Sequence, residues 1–308
     1  MNITEVRELI PQSCINSFDS IVDGTVLGAS NHIKMIIDMY VAVAAENDEQ
    51  TAKRSIKIIG DYFKETRGKS SYAIVWALNN VERKIDNTVR ENFSETVNTA
   101  RELYNEETKD NLNKILLYTK RLLNQYSSVM LFDYSSTVEK AIVNAGKPLD
   151  VYIPESRVIN GGYPFVKKIK EAGHHIHFIA DAAMLVFLKK VDICFIGAET
   201  FYPDGTAFNT TGSDILAELC YQYHVPYYVL TPLLKCDMRA LYGIYKEPLI
   251  TDISHRLAAE WPEELKKDID FKTIELVGVV PERITGYVTE KGIIKANDLY
   301  TIVTKEGE

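Results

Sequence analysis

Apolar residues in the first 126 positions recur at spacings of three and four. Ile33, Ile36, Ile37, Tyr40, Val41, Val43 and Ala44 form one stripe, and Ile74, Ala77, Leu78 and Val81 form another. This is the period of an amphipathic helix, and nothing in the region alternates as a half-buried strand does. Residues 89–125 are long and charged, with apolar positions at Val97, Leu103, Leu112, Ile115, Leu116 and Leu123. That spacing predicts two or three antiparallel helices.

The pattern changes at Ser127. Short apolar runs now alternate with helical segments: 129–132, 151–153, 176–179, 193–196, 227–230 and, late in the chain, 276–280. Strands separated by helices of this length form right-handed parallel crossovers. The expected fold class is therefore α/β, with a helical domain at residues 1–126 and a Rossmann-like domain with a mainly parallel sheet at 127–308.

The ends of these strands carry the candidate chemistry, because open parallel sheets place ligands along the carboxyl edge of their strands. The first ends in Asp133, and Ser135, Ser136 and Thr137 open the next helix; these hydroxyls suit either an N-cap or an anion. The second ends in Glu155-Ser156-Arg157, where Glu155 and Arg157 suit either a ligand or an ion pair with each other. The third ends in Asp181, which also suits a helix cap. The fourth ends in Gly197-Ala198-Glu199 and runs through Asp204-Gly205 into Asn209-Thr210-Thr211-Gly212-Ser213, read as a loop before the helix 214–223. Turn glycines, hydroxyls and backbone N–H groups ahead of a helix are phosphate-binding chemistry. The fifth strand leads to Lys235. A negative ligand such as a sugar phosphate would pair with Arg157, Lys235 and helix N-termini, while Asp133 and Glu199 handle hydroxyl protons.

Composition narrows the classes. The 308 residues, 46% of them hydrophobic, suffice for two domains of ordinary size or one large one. A net charge of −8 argues against direct nucleic-acid binding, which needs clustered Lys and Arg. Neither a signal peptide nor a membrane span is expected, and the expected address is cytoplasmic. Cys14, Cys194, Cys220 and Cys236 lack metal-ligand spacing and read as reduced packing residues. His174, His175 and His177 merely enter a strand, so no metal is expected, and no cofactor is implied.

These blocks resemble the alpha, beta and delta subunits of eukaryotic initiation factor 2B, with methylthioribose-1-phosphate isomerase and archaeal ribose-1,5-bisphosphate isomerase. The family's G-A-D/E, N-G, N-K-x-G-T and V-P-F-Y-V blocks are similar to Gly197-Ala198-Glu199, Asp204-Gly205, Asn209 through Ser213, and Val225 through Val229. Its E-T/S-R-P, D-x-A and T-E-K-G-I blocks are similar to Glu155 through Val158, Asp181 through Ala183, and Thr289 through Ile293. In the helical half, Gly28-Ala29-Ser30 and Thr66-Arg67-Gly68-Lys69 resemble its R-G-A-P and R-P-T segments. The resemblance covers most of the chain. It implies a helical domain capping a Rossmann-like domain, a sugar-phosphate cleft between them, and homodimerisation through the C-terminal half. It also implies phosphate or sugar contacts at Gly28, Ala29, Arg67, Ser135, Ser136, Arg157, Asn209, Thr210, Gly212 and Lys235, with Asp133 and Glu199 at the catalytic positions.

The departures separate two functions. The resemblance implies a catalytic cysteine where this chain has Asp133, an aspartate where it has Glu199, an arginine at Leu27 and a lysine at Thr210. The G-A-E form resembles the non-catalytic alpha subunit, which implies a pocket that accepts a phosphorylated sugar or a nucleoside monophosphate without converting it. The alternative is an aldose-1-phosphate to ketose-1-phosphate isomerase in which Asp133 and Glu199 act as acid and base.

Overall fold

The computed structural model describes residues 2–26 and 29–306. The chain divides into two compact units, Met1–Asp110 and Asn111–Glu308.

The first unit is helical: α1 (Ile3–Glu8), α2 (Ile15–Val22), α3 (Ala29–Glu46), α4 (Glu49–Ser70), α5 (Tyr72–Asn87) and the start of α6 (Phe93–Leu123). Asp48 starts α4 by accepting from the N–H groups of Gln50 and Thr51, donors that have no acceptor within the helix. Ile33, Ile36, Ile37, Tyr40 and Val43 of α3 bury the face that their spacing predicts, as do Ile74, Ala77, Leu78 and Val81 of α5. Phe18, Tyr62 and Phe63 add a cluster of rings at 5.3–5.9 Å.

Residues 93–123 form one 31-residue helix, α6, not two or three. The polar run that invited a break is rich in Glu and Lys and holds neither Gly nor Pro, so nothing in it terminates a helix. The unit division falls within α6; Ile115, Leu122 and Leu123 are buried in the core of the second unit.

The second unit continues with β1 (Ser128–Phe132), α7 (Ser136–Val143), β2 (Asp150–Pro154), α8 (Val166–Glu171), β3 (His175–Ile179), α9 (Met184–Leu188), β4 (Ile193–Ile196), β5 (Thr200–Phe201), β6 (Ala207–Thr210), α10 (Ser213–Tyr223) and β7 (Tyr227–Leu230). There follow β8 (Ile250–Asp252), α11 (Ser254–Leu257), α12 (Glu263–Lys266), β9 (Lys272–Ile274), β10 (Leu276–Val279), β11 (Gly286–Thr289), β12 (Gly292–Ile294) and α13 (Leu299–Glu306). Among the described residues a seven-stranded sheet runs β12-β11-β7-β4-β1-β2-β3, parallel except for the β11–β12 hairpin. Alternate residues feed two cores. Met130, Phe132, Cys194, Ile196 and Val229 enter one, and Val129, Leu131, Val151, Ile193 and Phe195 the other, as a sheet covered on both faces requires. Cys194, Cys220 and Cys236 are buried free thiols.

Two expectations are corrected. Residues 276–279 leave the parallel sheet and pair antiparallel with β6; the outer parallel strand is β11, paired with β7. The segment between Glu199 and Ser213 is not a plain loop, since β5 and β6 form a hairpin turned by Asp204-Gly205. A two-residue strand leaves no alternation for a periodicity reading to detect. No described helix is long and apolar enough to cross a membrane.

Candidate functional site

The direction of the strand order reverses between β1 and β4, and in open α/β sheets such a reversal is where ligands bind, outside the carboxyl ends of the strands. Phe132 and Ile196 are register partners there. The next residues are Asp133 on one strand and Gly197-Ala198-Glu199 on the other, so the topology places the two carboxylates on neighbouring strand ends.

Asp133 sits in the left-handed region at φ 61°, which Asp tolerates better than most residues. It is 6% exposed. Its Oδ2 accepts from Thr210 Oγ1 at 2.8 Å and its Oδ1 from Ser156 Oγ at 3.4 Å. Gly161 closes over it: an added Cβ there would lie 1.9 Å from Oδ1. Among the described residues no Lys, Arg or His pairs with it. Burial pushes its carboxyl up to about 6, against the opposing hydrogen bonds from Thr210, the Tyr134 N–H and Ser156, while the negative charge of Glu275 adds to the rise.

The surrounding turn is held by Asp181, which caps no helix. Its two oxygens accept from the N–H groups of Ser156 and Arg157 at 2.8 Å each, fixing the loop after β2 with Ser156 itself left-handed at φ 51°. Ser135 caps α7, accepting from Val138 N–H at 3.4 Å. Gly197 lies against it, since a Cβ on Gly197 would come within 2.5 Å of the Ser135 side chain.

Asn209 and Thr210 end β6, and Gly212, left-handed at φ 108°, leads into α10. A Cβ on Gly212 would meet the Phe132 ring at 2.4 Å, so only glycine lets this turn lie on the end of β1. Asn209 and Ser213 are 6% and 0% exposed, and Asn209 Nδ2 and Ser213 Oγ have no hydrogen-bond partner. Orphaned buried polar atoms are rare. Here two of them sit beside the first turn of α10, whose N–H groups lack helical acceptors; the Asp214 carboxylate takes the Gly212 N–H at 3.1 Å.

Thr210 is engaged by Asp133. Ser136 is the exposed first residue of α7. Arg157 donates to the carbonyl of Arg256 at 2.7 Å and pairs with Glu155 at 3.5 Å. The Lys235 ammonium donates to the Ala198 carbonyl at 2.6 Å. Within the first unit, Ala29 opens α3, and Arg67 donates to the carbonyls of Ile21 and Val22; Gly28 lies outside the described residues.

Two participants were not read from the sequence, Gly161 and Lys246; Ser156, named there only within the Glu155-Ser156-Arg157 strand end, supplies a hydroxyl to Asp133. Lys246 is half-buried, and burial lowers its pKa while Glu199, Asp237 and Glu275 act in the opposite sense. It lines a cleft of about 260 Å³ with Phe208, Pro248, Ile274 and Leu276. It stands in an irregular Tyr245-Lys246-Glu247 stretch without a periodic signal, which is why sequence reasoning passes over it; the Gly161-Gly162 pair was the available signal for the loop over Asp133.

The sequence profile of the Initiation factor 2 subunit family matches residues 28–296. Ribose 1,5-bisphosphate isomerase of Archaeoglobus fulgidus is 25% identical over 287 residues, covering 91% of this chain and 89% of that one. The solved structure of translation initiation factor eIF-2B from Pyrococcus horikoshii superposes with a TM-score of 0.73 at 18% identity, covering 93% of this chain and 98% of that one. That of 5-methylthioribose 1-phosphate isomerase from the same organism gives 0.70 at 16% identity, covering 98% and 86%. Both structures share the mixed α/β fold.

Proposed function

The chain belongs to the initiation factor 2 subunit family, and on that premise we propose that it binds a phosphorylated sugar at the β1–β4 rim, with the phosphate on the Asn209–Ser213 turn. The observation that carries this reading is the pair of partnerless buried groups, Asn209 Nδ2 and Ser213 Oγ, beside the N-terminus of an eleven-residue helix. A phosphate oxygen satisfies such donors and gains from the helix dipole. Lys246 supplies positive charge in the same neighbourhood of Glu199 and Glu275. Homodimerisation through the C-terminal half belongs to the same reading and rests on the family resemblance; light scattering tests it.

Thermal unfolding with ribose 1,5-bisphosphate, methylthioribose 1-phosphate, AMP, ribose and inorganic phosphate tests the site. A phosphorylated sugar at a hundred times its Kd is expected to stabilise the protein by about 2.7 kcal/mol, and unphosphorylated ribose not at all. Asn209→Asp, which puts a carboxylate against the phosphate at nearly constant volume, is expected to remove the shift. A shift by ribose alone, no shift by any phosphorylated sugar, or a full shift in Asn209→Asp would overturn the assignment.

A second reading, aldose-to-ketose isomerisation, is favoured by the state of Asp133. A carboxyl held near 6 without a cationic partner gives up and recovers a proton near neutral pH, as ring opening and hydrogen movement between adjacent carbons require. Glu199 on the neighbouring strand end supplies the second carboxylate. Repeated turnover of an aldose 1-phosphate, falling by about 10²-fold or more in Asp133→Asn, would establish catalysis over binding alone; turnover that survives the substitution rules out this mechanism.

A further inference from the structure

The opposite end of the sheet carries a cluster that the rim chemistry does not use. Asp150 opens β2, and His175 and His177 lie on the edge strand β3, with Asp150 opposite His175 and Tyr152 opposite His177. A spacing of two puts both imidazoles on one face of the strand, and the register sets the Asp150 carboxylate beside them. His175 Nδ1 lies 2.8 Å and His177 Nε2 3.3 Å from the same oxygen, Asp150 Oδ1. One donor atom from each of the three residues falls within 4.8 Å of the others.

His174 is excluded from the cluster and helps to fix it. Its Nδ1 accepts from the Leu149 N–H at 3.2 Å, so its Nε2 carries the proton that goes to the Ile142 carbonyl at 2.9 Å. Neither nitrogen keeps a lone pair for a metal. The same contact ties the residue before β3 to the residue before β2, which sets the register of the two ligating strands. His177 is further held by the Tyr152 ring, stacked at 4.3 Å and 10°.

We propose that Asp150, His175 and His177 form a binding site for a divalent transition-metal ion of the zinc class. Two imidazoles and one carboxylate are a borderline donor set, suited to Zn²⁺, Ni²⁺ or Cu²⁺ and unsuited to Mg²⁺ or Ca²⁺, which require mostly oxygen donors. Metal–ligand bonds of about 2.0–2.2 Å at tetrahedral angles put ligand atoms about 3.3 Å apart. The His177–Asp150 separation is already 3.3 Å, and the His175–Asp150 separation of 2.8 Å has to open by about half an ångström. A metal ion takes the lone pair of the neutral imidazole, so in the loaded site the ring proton of each histidine sits on the nitrogen away from the ion. Three protein ligands leave the fourth position to water or an added donor. The site lies at the amino ends of β2 and β3, away from Asp133 at the carboxyl end of β1.

Equilibrium dialysis of the untagged full-length protein against Zn²⁺, with excess Mg²⁺ present, tests the proposal, and Co²⁺ absorption reports the donor atoms. One equivalent of Zn²⁺ is expected at micromolar concentration, with a Co²⁺ spectrum free of sulfur-to-metal charge transfer. His175→Gln, His177→Gln and Asp150→Asn change side chains at the surface and are each expected to weaken binding at least tenfold with unchanged far-UV circular dichroism. Failure to bind Zn²⁺ in the micromolar range, unchanged stoichiometry in the His175→Gln/His177→Gln double variant, competition by Mg²⁺, or a thiolate band that disappears in Cys14→Ser would each overturn it.

Discussion

Asp133→Asn is expected to stabilise the protein at pH 7.5 by about 1–3 kcal/mol. The carboxyl is buried without a cation, and its pKa is raised from 3.8 to about 6, so ionising it costs more in the folded protein than in the unfolded chain. Each pKa unit corresponds to about 1.4 kcal/mol, and the shift to roughly 3 kcal/mol. Below pH 3.8 the group is protonated in both states and its contribution is fully present. As pH rises from there, the unfolded chain ionises first, the folded state holds the extra proton, and stability falls until the folded carboxyl has also ionised above about 6. Asparagine stays neutral, and the rotatable hydroxyls of Thr210 and Ser156 can adapt to its amide. Urea unfolding at pH 4 and pH 7.5 should therefore show an advantage for the variant that grows with pH. A variant less stable than wild type at pH 7.5, or one with the same difference at both pH values, would contradict the buried, unpaired state of Asp133. Keeping an ionisable group where a neutral one is more stable is the trade expected of a functional carboxylate.

What the sequence made legible followed from periodicity. The apolar runs at 129–132, 151–153, 193–196 and 227–230 were long enough to declare buried parallel strands, and strands β1, β2, β4 and β7 lie where those runs predict. Asp133 and Glu199 could be placed on one rim because parallel topology alone carries strand ends to a common edge. The misplaced segment, 276–280, has the same apolar character as a parallel strand, and only its pairing with β6 shows otherwise. β11, with its glycine and threonine, is buried along its whole length, yet its short sequence carries less hydrophobic signal than the strand it was passed over for. At the site, residue types picked out strand ends that the topology brings to one edge of the sheet, but not the partners of their side chains. Thr210, read as a phosphate contact, holds Asp133; Arg157 and Lys235, read as anion-binding cations, donate to main-chain carbonyls. Partner choice depends on distances between residues up to 99 positions apart, as in the Arg157–Arg256 contact, and no local pattern encodes them.

Gly212→Ala is expected to destabilise the protein by about 2–5 kcal/mol and to abolish stabilisation by a phosphorylated sugar. Two separate penalties meet at this residue. An alanine at φ 108° leaves the ordinary backbone regions, at a cost of about 1–2 kcal/mol. Its methyl would also stand 2.4 Å from the Phe132 ring, and overpacking a core of this kind costs about 1–3 kcal/mol. Gly173→Ala separates the two, because Gly173 is also left-handed, at φ 84°, with nothing within 4 Å of an added Cβ. The control should show the backbone penalty alone. The clash at Gly212 acts on function as well as stability, since relieving it moves either the turn that presents Asn209 and Ser213 or the ring that precedes Asp133. The phosphate donors and the candidate acid would then shift relative to each other, and ligand-dependent stabilisation should vanish even at temperatures where the variant is folded. If Gly212→Ala lost no more stability than Gly173→Ala, the turn would not rest on Phe132; if it kept the full ligand shift, the phosphate would not lie on this turn.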